Sequence, residues 1–275
     1  MAHSNIFDFL RAGLVSLLVL LFVAWSACQR EAGQTPAQEK KFLFDSMPSA
    51  TPINSSIAEA SGIADSKVNA GHLWVQEDGG NPTQLYLLKH NGAIQKTIFL
   101  AGVTNRDWED MAVSGGDIYL GEIGDNNAVY SDYAFYKFPE PPATADTVRN
   151  VEAIRFRYAD GPRDAEAFLV EPASKEIYII TKRESVSRIY RLSPPFSVGI
   201  NEAVFVASLP YNGVVGATLS ADAKEIIIKT YTSLFYYTVS NGETIGGALQ
   251  KPYAVLPYTL EPQGEAVCFS ASNNG

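Results

Sequence analysis

The sequence predicts an all-β chain folded as a β-propeller. Three observations predict it: apolar runs of strand length bounded by turn residues, one order of strands repeated about every fifty residues, and related residues two apart at the head of each repeat, polar in all but the fourth. The second strands read Leu73-Trp74-Val75, Ile118-Tyr119-Leu120, Tyr178-Ile179-Ile180 and Ile226-Ile227-Ile228. The third strands read Leu85-Tyr86-Leu87-Leu88, Ala134-Phe135-Tyr136-Lys137, Arg188-Ile189-Tyr190-Arg191 and Leu234-Phe235-Tyr236-Tyr237. Fourth strands are expected near 96–100, 151–158, 203–209 and 253–257. Turns such as Asn91-Gly92, Gly115-Gly116-Asp117 and Asn241-Gly242 separate the runs. The near-continuous apolar second strands suit an inner blade strand, which neighbouring blades cover on both faces. A β-sandwich is the competing architecture, but it does not account for a repeat with constant internal order.

A fifth opening strand is expected at Gln263–Phe269, after which the chain given ends at Gly275, before strands two and three of that unit. Lys41–Asp45 is expected to supply its outer strand. The prediction is five blades of about four antiparallel strands over residues 42–275, the last blade split between the termini and incomplete, with six blades as the alternative. An open blade would expose unpaired strand edges.

The N-terminus reads as a targeting segment. Arg11 precedes an apolar run from Ala12 to Trp25, and the small residues Ser26 and Ala27 lead into Cys28. The run is short for a membrane span. The pattern predicts a bacterial lipoprotein signal over residues 1–27, lipidation at Cys28 and a flexible polar tether over residues 28–41. An ordinary signal peptide or a retained anchor is the alternative. The expected location is the bacterial cell envelope, on the periplasmic face or the cell surface. Cys268 is the only other cysteine, so stability is expected from packing rather than a disulfide, with Cys268 a small buried hydrophobe.

A formal net charge of −9 over 275 residues argues against nucleic acid and against an anionic membrane face as the main partner. It leaves cations and basic ligands open. The acids are organised. The repeat heads read Glu59-x-Ser61, Asp107-x-Glu109, Asp164-x-Glu166, Val215-x-Ala217 and Gln263-x-Glu265. Residues two apart on a strand face the same way, and in a propeller the opening strand lines the central axis. Glu59, Asp107, Glu109, Asp164, Glu166 and Glu265 are therefore expected to ring one mouth of the channel as metal ligands. Asp78, Asp110 and Glu122 are expected nearby as further ligand-binding residues. Unit charges about 4 Å apart at an effective dielectric near 20 interact by about 4 kcal/mol, so several such pairs need compensation. A hard, oxygen-seeking cation such as Ca²⁺ can supply it. So can internal cations: Lys182 and Arg183 after one second strand, and Lys229 at what reads as the corresponding place in the next repeat. Structural salt bridges fixing blade register are the alternative reading.

Other clusters are weaker. Glu77-Asp78-Gly79-Gly80-Asn81 and Glu122-Ile123-Gly124-Asp125-Asn126-Asn127 follow second strands and either feed the same mouth or simply form turns. The histidines are too scattered for a zinc site. The sequence has no Gly-x-Ser-x-Gly, phosphate-binding loop or Cys-x-x-Cys motif.

Glu59-Ala60-Ser61-Gly62-Ile63-Ala64 and Asp107-Trp108-Glu109-Asp110-Met111-Ala112 resemble blade openings of the SdiA-regulated propeller family. Asp164-Ala165-Glu166-Ala167 with Tyr178-Ile179-Ile180 also resembles blades of phytase-like (esterase-like) propellers. The first resemblance implies five blades and an association with calcium. The second implies several calcium ions and a basic patch acting on phosphate esters. The chain has the acidic ring but fewer basic residues than that chemistry wants, and its fourth repeat has lost the acidic pair. The expectation is a monomeric, envelope-anchored binding module that takes a cation or small ligand at the carboxylate mouth. The alternatives are a calcium-dependent phosphoesterase, with Lys182 and Arg183 holding phosphate, and a lipoprotein used as a docking surface.

Overall fold

The computed structural model describes residues 50–272. The segments expected to be a signal and a tether, Cys28, and Lys41–Asp45 lie outside the described residues.

The protein is an all-β propeller. Its first sheet holds β1 (Ala60–Asp65), β2 (His72–Glu77), β3 (Gln84–Lys89) and β4 (Ile94–Leu100) in simple antiparallel order. The second begins with β5 (Trp108–Ser114), β6 (Asp117–Glu122) and β7 (Tyr133–Pro139). The chain then lends β8 (Thr147–Val148) in parallel to the outer edge of β4, and returns as β9 (Glu152–Tyr158) beside β7. The third sheet is β10 (Ala165–Val170), β11 (Ile177–Thr181), β12 (Arg188–Leu192) and β13 (Asn201–Ser208). Here β13 also pairs in parallel with β9. The fourth is β14 (Val214–Leu219), β15 (Glu225–Thr230), β16 (Leu234–Thr238) and β17 (Ala254–Leu256), with a short helix α1 (Ile245–Ala248) before the last strand. Each strand expected from the apolar runs is present, with its ends moved by one or two residues.

Local chemistry explains the elements. The β5–β6 hairpin turns on Gly115 and Gly116, both at positive φ (62° and 88°). A two-residue turn with both centres left-handed matches the twist of the flanking strands. Strand β11 is buried along its whole length because blades cover both its faces. Between the second and third sheets an aromatic core forms from Tyr133, Phe135, Phe156, Tyr158, Phe168 and Tyr190. Within it Phe135 stacks on Phe156 with ring centroids 5.3 Å apart. A second core of Ile180, Ile226, Ile228, Tyr237 and Ile245 lies between the third and fourth sheets.

The inner strands pack in sequence, β1 on β5, β5 on β10 and β10 on β14. Residues 263–271 take the fifth inner place. Phe269 N donates to Thr218 Oγ1 at 3.2 Å on one side, and Ala271 N donates to Asp65 Oδ2 at 2.6 Å on the other. All five segments line one cavity of about 60 Å³. The expected opening strand at Gln263–Phe269 is thus in the expected position, but it is not a β-strand: among the described residues no second strand pairs with it. Cys268, a free thiol, lines that cavity, and burial pushes it up to about 12.

One feature departs from strict alternation. Every inner strand carries a β-bulge at its head, between Ala60 and Gly62, Trp108 and Met111, Ala165 and Ala167, and Val214 and Gly216. A bulge adds a residue and re-aims the side chains around it. This is why Glu109 and Met111, two apart in sequence, go to different surroundings: Met111 into the core between sheets, Glu109 to the channel mouth. The bulges also correct the fourth repeat. The residues equivalent to Asp107-x-Glu109 are Gly213-x-Val215, not Val215-x-Ala217, because Val214 pairs with Thr230 as Trp108 pairs with Glu122.

Candidate metal centre

The bulged heads of β5 and β10 bring four acids to one mouth of the channel, and the residue after β2 adds a fifth. Carboxylate oxygens of Asp78, Asp107 and Glu109 lie within 4.8 Å of one another, and so do those of Glu109, Asp164 and Glu166. Glu109 belongs to both triads. Glu109, Asp164 and Glu166 are buried, whereas Asp78 and Asp107 are half-buried. Glu59 and Glu265 stand on the rim. Glu59 accepts a 3.0 Å hydrogen bond from Asn81 Nδ2, and Glu265 a 2.6 Å bond from the Tyr231 hydroxyl. The charges of both raise Asp78, after burial, which is the larger cause.

Burial dominates the electrostatics. It pushes the Asp107 carboxyl up to about 6, with Asp78 and Asp164 adding to the effect. It drives Glu109 far above the ordinary carboxylate range, reinforced by Glu166, Asp78, Asp107 and Asp164. Burial also raises Glu166, and Lys182 opposes it. The Lys182 ammonium lies on both oxygens of Glu166, 2.5 Å from Oε2, and Arg183 Nε donates to Asp164 Oδ2 at 2.5 Å.

Two glycines back the first triad. A Cβ at Gly124 would stand 2.5 Å from the Asp107 carboxylate and closer still to Glu109 Oε1, and one at Gly79 would stand 2.5 Å from Asp107 Oδ1. These are the second residues after Glu122 and Glu77, the last residues of β6 and β2. Absent side chains there leave room for the carboxylates to converge. The donor set is all oxygen, with three carboxylates buried and two half-buried, which suits a hard cation of the Ca²⁺ type. In such a site Asp78, Asp107 and Glu109 would be ligands on one side, and Asp164 and Glu166 on the other.

Three expected ligand-binding residues have other surroundings. Asp110 is fully buried on the channel axis, where its carboxylate accepts from the backbone N–H of Met111 (2.8 Å), Phe168 (3.4 Å) and Ala217 (3.4 Å). It ties together three inner strands. Glu122 accepts from the N–H of Arg106 and Asp107 (2.8 and 2.9 Å) and from Trp108 Nε1 (3.1 Å), so it clamps the loop that carries Asp107. Lys229 does not correspond to Lys182. By register it stands in the place of Gln76, and Tyr231 holds the place of Lys182. Gln76 Nε2 reaches the Glu109 carbonyl at 2.9 Å, and Lys229 Nζ likewise reaches the Ala266 carbonyl at 3.2 Å, besides pairing with Glu261. Both residues strap one blade to the next inner segment.

Asp125, expected only as part of a cluster feeding the mouth or forming a turn, is buried and accepts from Val129 N, Tyr130 N and the Tyr133 hydroxyl, holding the loop behind the mouth. Glu77, in the other such cluster, does for the first blade what Glu122 does for the second, taking Ala58 N and the Tyr86 hydroxyl. The shared position of Glu77 and Glu122, each followed two residues on by glycine, was the available signal.

No protein-family model and no curated protein sequence matches the chain. Solved structures similar to it include hydrazine synthase of Kuenenia stuttgartiensis, at 11% identity over 77% of this chain and 53% of that one, TM-score 0.42. The β-propeller domain of Cps50 (Swd1) from Myceliophteria thermophila is 8% identical over 66% and 54%, TM-score 0.39. A protein of unknown function from Desulfotomaculum acetoxidans is 14% identical over 72% and 62%, TM-score 0.35. The chain spans between half and two thirds of the length of these structures.

Proposed function

We propose that the protein is a binding module whose channel mouth takes a divalent cation, with Ca²⁺ the fitting ion, and that it is held in the bacterial envelope by a lipid on Cys28. The observation that carries the reading is the shared, buried Glu109 carboxylate between two acid triads, with glycines standing back from it at positions 79 and 124. A cation placed there relieves the mutual repulsion of the acids without protonating them. The blade openings at Glu59 and Asp107 support kinship with the SdiA-regulated propellers, for which such a role is the expectation.

The phosphoesterase reading needs Lys182 and Arg183 free to hold phosphate oxygens, and both are engaged by Glu166 and Asp164. The binding reading therefore stands first.

Calcium titration tests it. Chelator-stripped protein should bind Ca²⁺ with measurable heat and melt at higher temperature in its presence; saturation at 100 times Kd adds about 2.7 kcal/mol of stability. Glu109→Gln should abolish both effects. A wild-type protein that neither releases heat nor changes its melting temperature removes the cation from the proposal.

A further inference from the structure

The two triads differ in how far the chain itself compensates their charge. On the Asp164–Glu166 side both acids already have cations of the chain itself. The Lys182 ammonium straddles the Glu166 carboxylate, donates to the Tyr231 hydroxyl oxygen at 3.2 Å and sits 5.1 Å from the centre of the Tyr231 ring. Tyr231 is fixed in turn by Glu265. The Lys182 side chain is only 14% exposed, so its charge is lodged in the cluster rather than waving over it. Arg183 covers Asp164 and bonds Asn126.

On the Asp78–Asp107 side none of the three carboxylates is in an ion pair among the described residues. Glu109 is 4% exposed, and no donor reaches its carboxylate among the described residues. A buried carboxylate without donor or counter-charge is costly. The glycine cradle lies on this side too.

Register makes the contrast sharper. Asp78 follows Glu77, which pairs with Ala60, and Lys182 follows Thr181, which pairs with Ala165. The two residues occupy the same place in successive odd blades. Where that place holds an acid, no cation of the chain pairs with the triad among the described residues. Where it holds a lysine, the chain supplies one.

We propose that the Lys182 ammonium is a tethered cation standing in the second of two adjacent cation positions, so that the mouth accepts one divalent ion, on Asp78, Asp107 and Glu109. This rests on the cation reading above and adds which triad is used and why the capacity is one. A neutral residue at 182 frees Glu166 and opens the second position. Lys182→Arg keeps the charge and keeps it closed.

The experiment is calorimetric titration of the chelator-stripped full chain with CaCl₂, comparing wild type, Lys182→Gln, Lys182→Met and Lys182→Arg, with circular dichroism confirming that each is folded. The methionine variant, similar in size and apolar, serves if glutamine does not fold. One ion per chain in wild type and Lys182→Arg, and two in Lys182→Gln or Lys182→Met, is the expected result. One ion in every variant overturns the tethered-cation proposal and leaves the cation reading standing. Two ions in wild type does the same. No binding in any of them overturns both.

Discussion

Asp107 and Glu109 owe their properties to what is missing around them as much as to what is present. Gly124 matters because its hydrogen lies where a methyl group would press on both carboxylates. The groups it would press on are the ends of side chains, which can swing aside, so Gly124→Ala should cost the fold little. It should cost the site its geometry, because converging oxygens must stay close to bind one ion. Calcium affinity is expected to fall about tenfold or more, which is about 1.4 kcal/mol or more, while the melting temperature in chelator barely moves. An unchanged affinity in Gly124→Ala argues that the ion, if bound, sits elsewhere. Asp110 shows that neighbours in sequence can have opposite jobs. It is next to Glu109, yet it serves three backbone amides on the axis rather than the mouth.

The elements are also fastened to one another by acids outside the two triads. Glu140, just past β7, accepts from Trp74 Nε1 at 2.9 Å, from the Ser66 hydroxyl, and from the N–H groups of Lys67 and Val68 at 3.3 Å. It thereby clasps the β1–β2 connection of the first blade to the end of the second. Removing it strands a buried indole N–H and a serine hydroxyl. Since an unsatisfied buried donor costs about 1–3 kcal/mol, Glu140→Ala should lose about 3 kcal/mol in a urea unfolding experiment, with calcium binding intact. A loss near zero means that water replaces the carboxylate and the clasp is not structural. The bulges act at this scale too: β5 and β10 present acids at their bulges, β1 presents Ser61 and β14 presents Val215. The same backbone device is reused with different chemistry, so the acidic mouth is lopsided towards the second and third blades.

For the molecule as a whole, the acid cluster predicts a pH signature. A carboxyl whose folded pKa is raised binds more protons folded than unfolded. Its stabilising contribution is complete below the unfolded value near 4 and is lost as pH rises through the folded value. For Asp107 that window ends at about 6, and for Glu109 it extends well beyond. In chelator, Asp107→Asn should therefore gain on wild type as pH is raised from 5 to 8, by a few degrees of melting temperature, and calcium should erase the gain. Melting curves of the two proteins at several pH values check it, and a difference that does not change with pH rules out repulsion at the mouth. Surface acids such as Asp132, held below the usual range by Arg155, act in the opposite sense, and they cancel in the comparison.

Periodicity by itself determined the antiparallel strands of each repeat, the blade repeat and the placing of Asp107, Glu109, Asp164 and Glu166 at the heads of successive inner strands, because each follows from local alternation and from a unit that recurs along the chain. Tertiary structure decided the rest. The bulges that send Met111 and Glu109 apart, the burial of Asp110 on the axis, the clamp made by Glu122 and the placing of Lys229 beside Ala266 all depend on backbone register and on contacts between segments distant in sequence. A one-residue shift in pairing moves a side chain to the opposite face of a strand, and nothing in the order of residues records that shift until the sheets have formed.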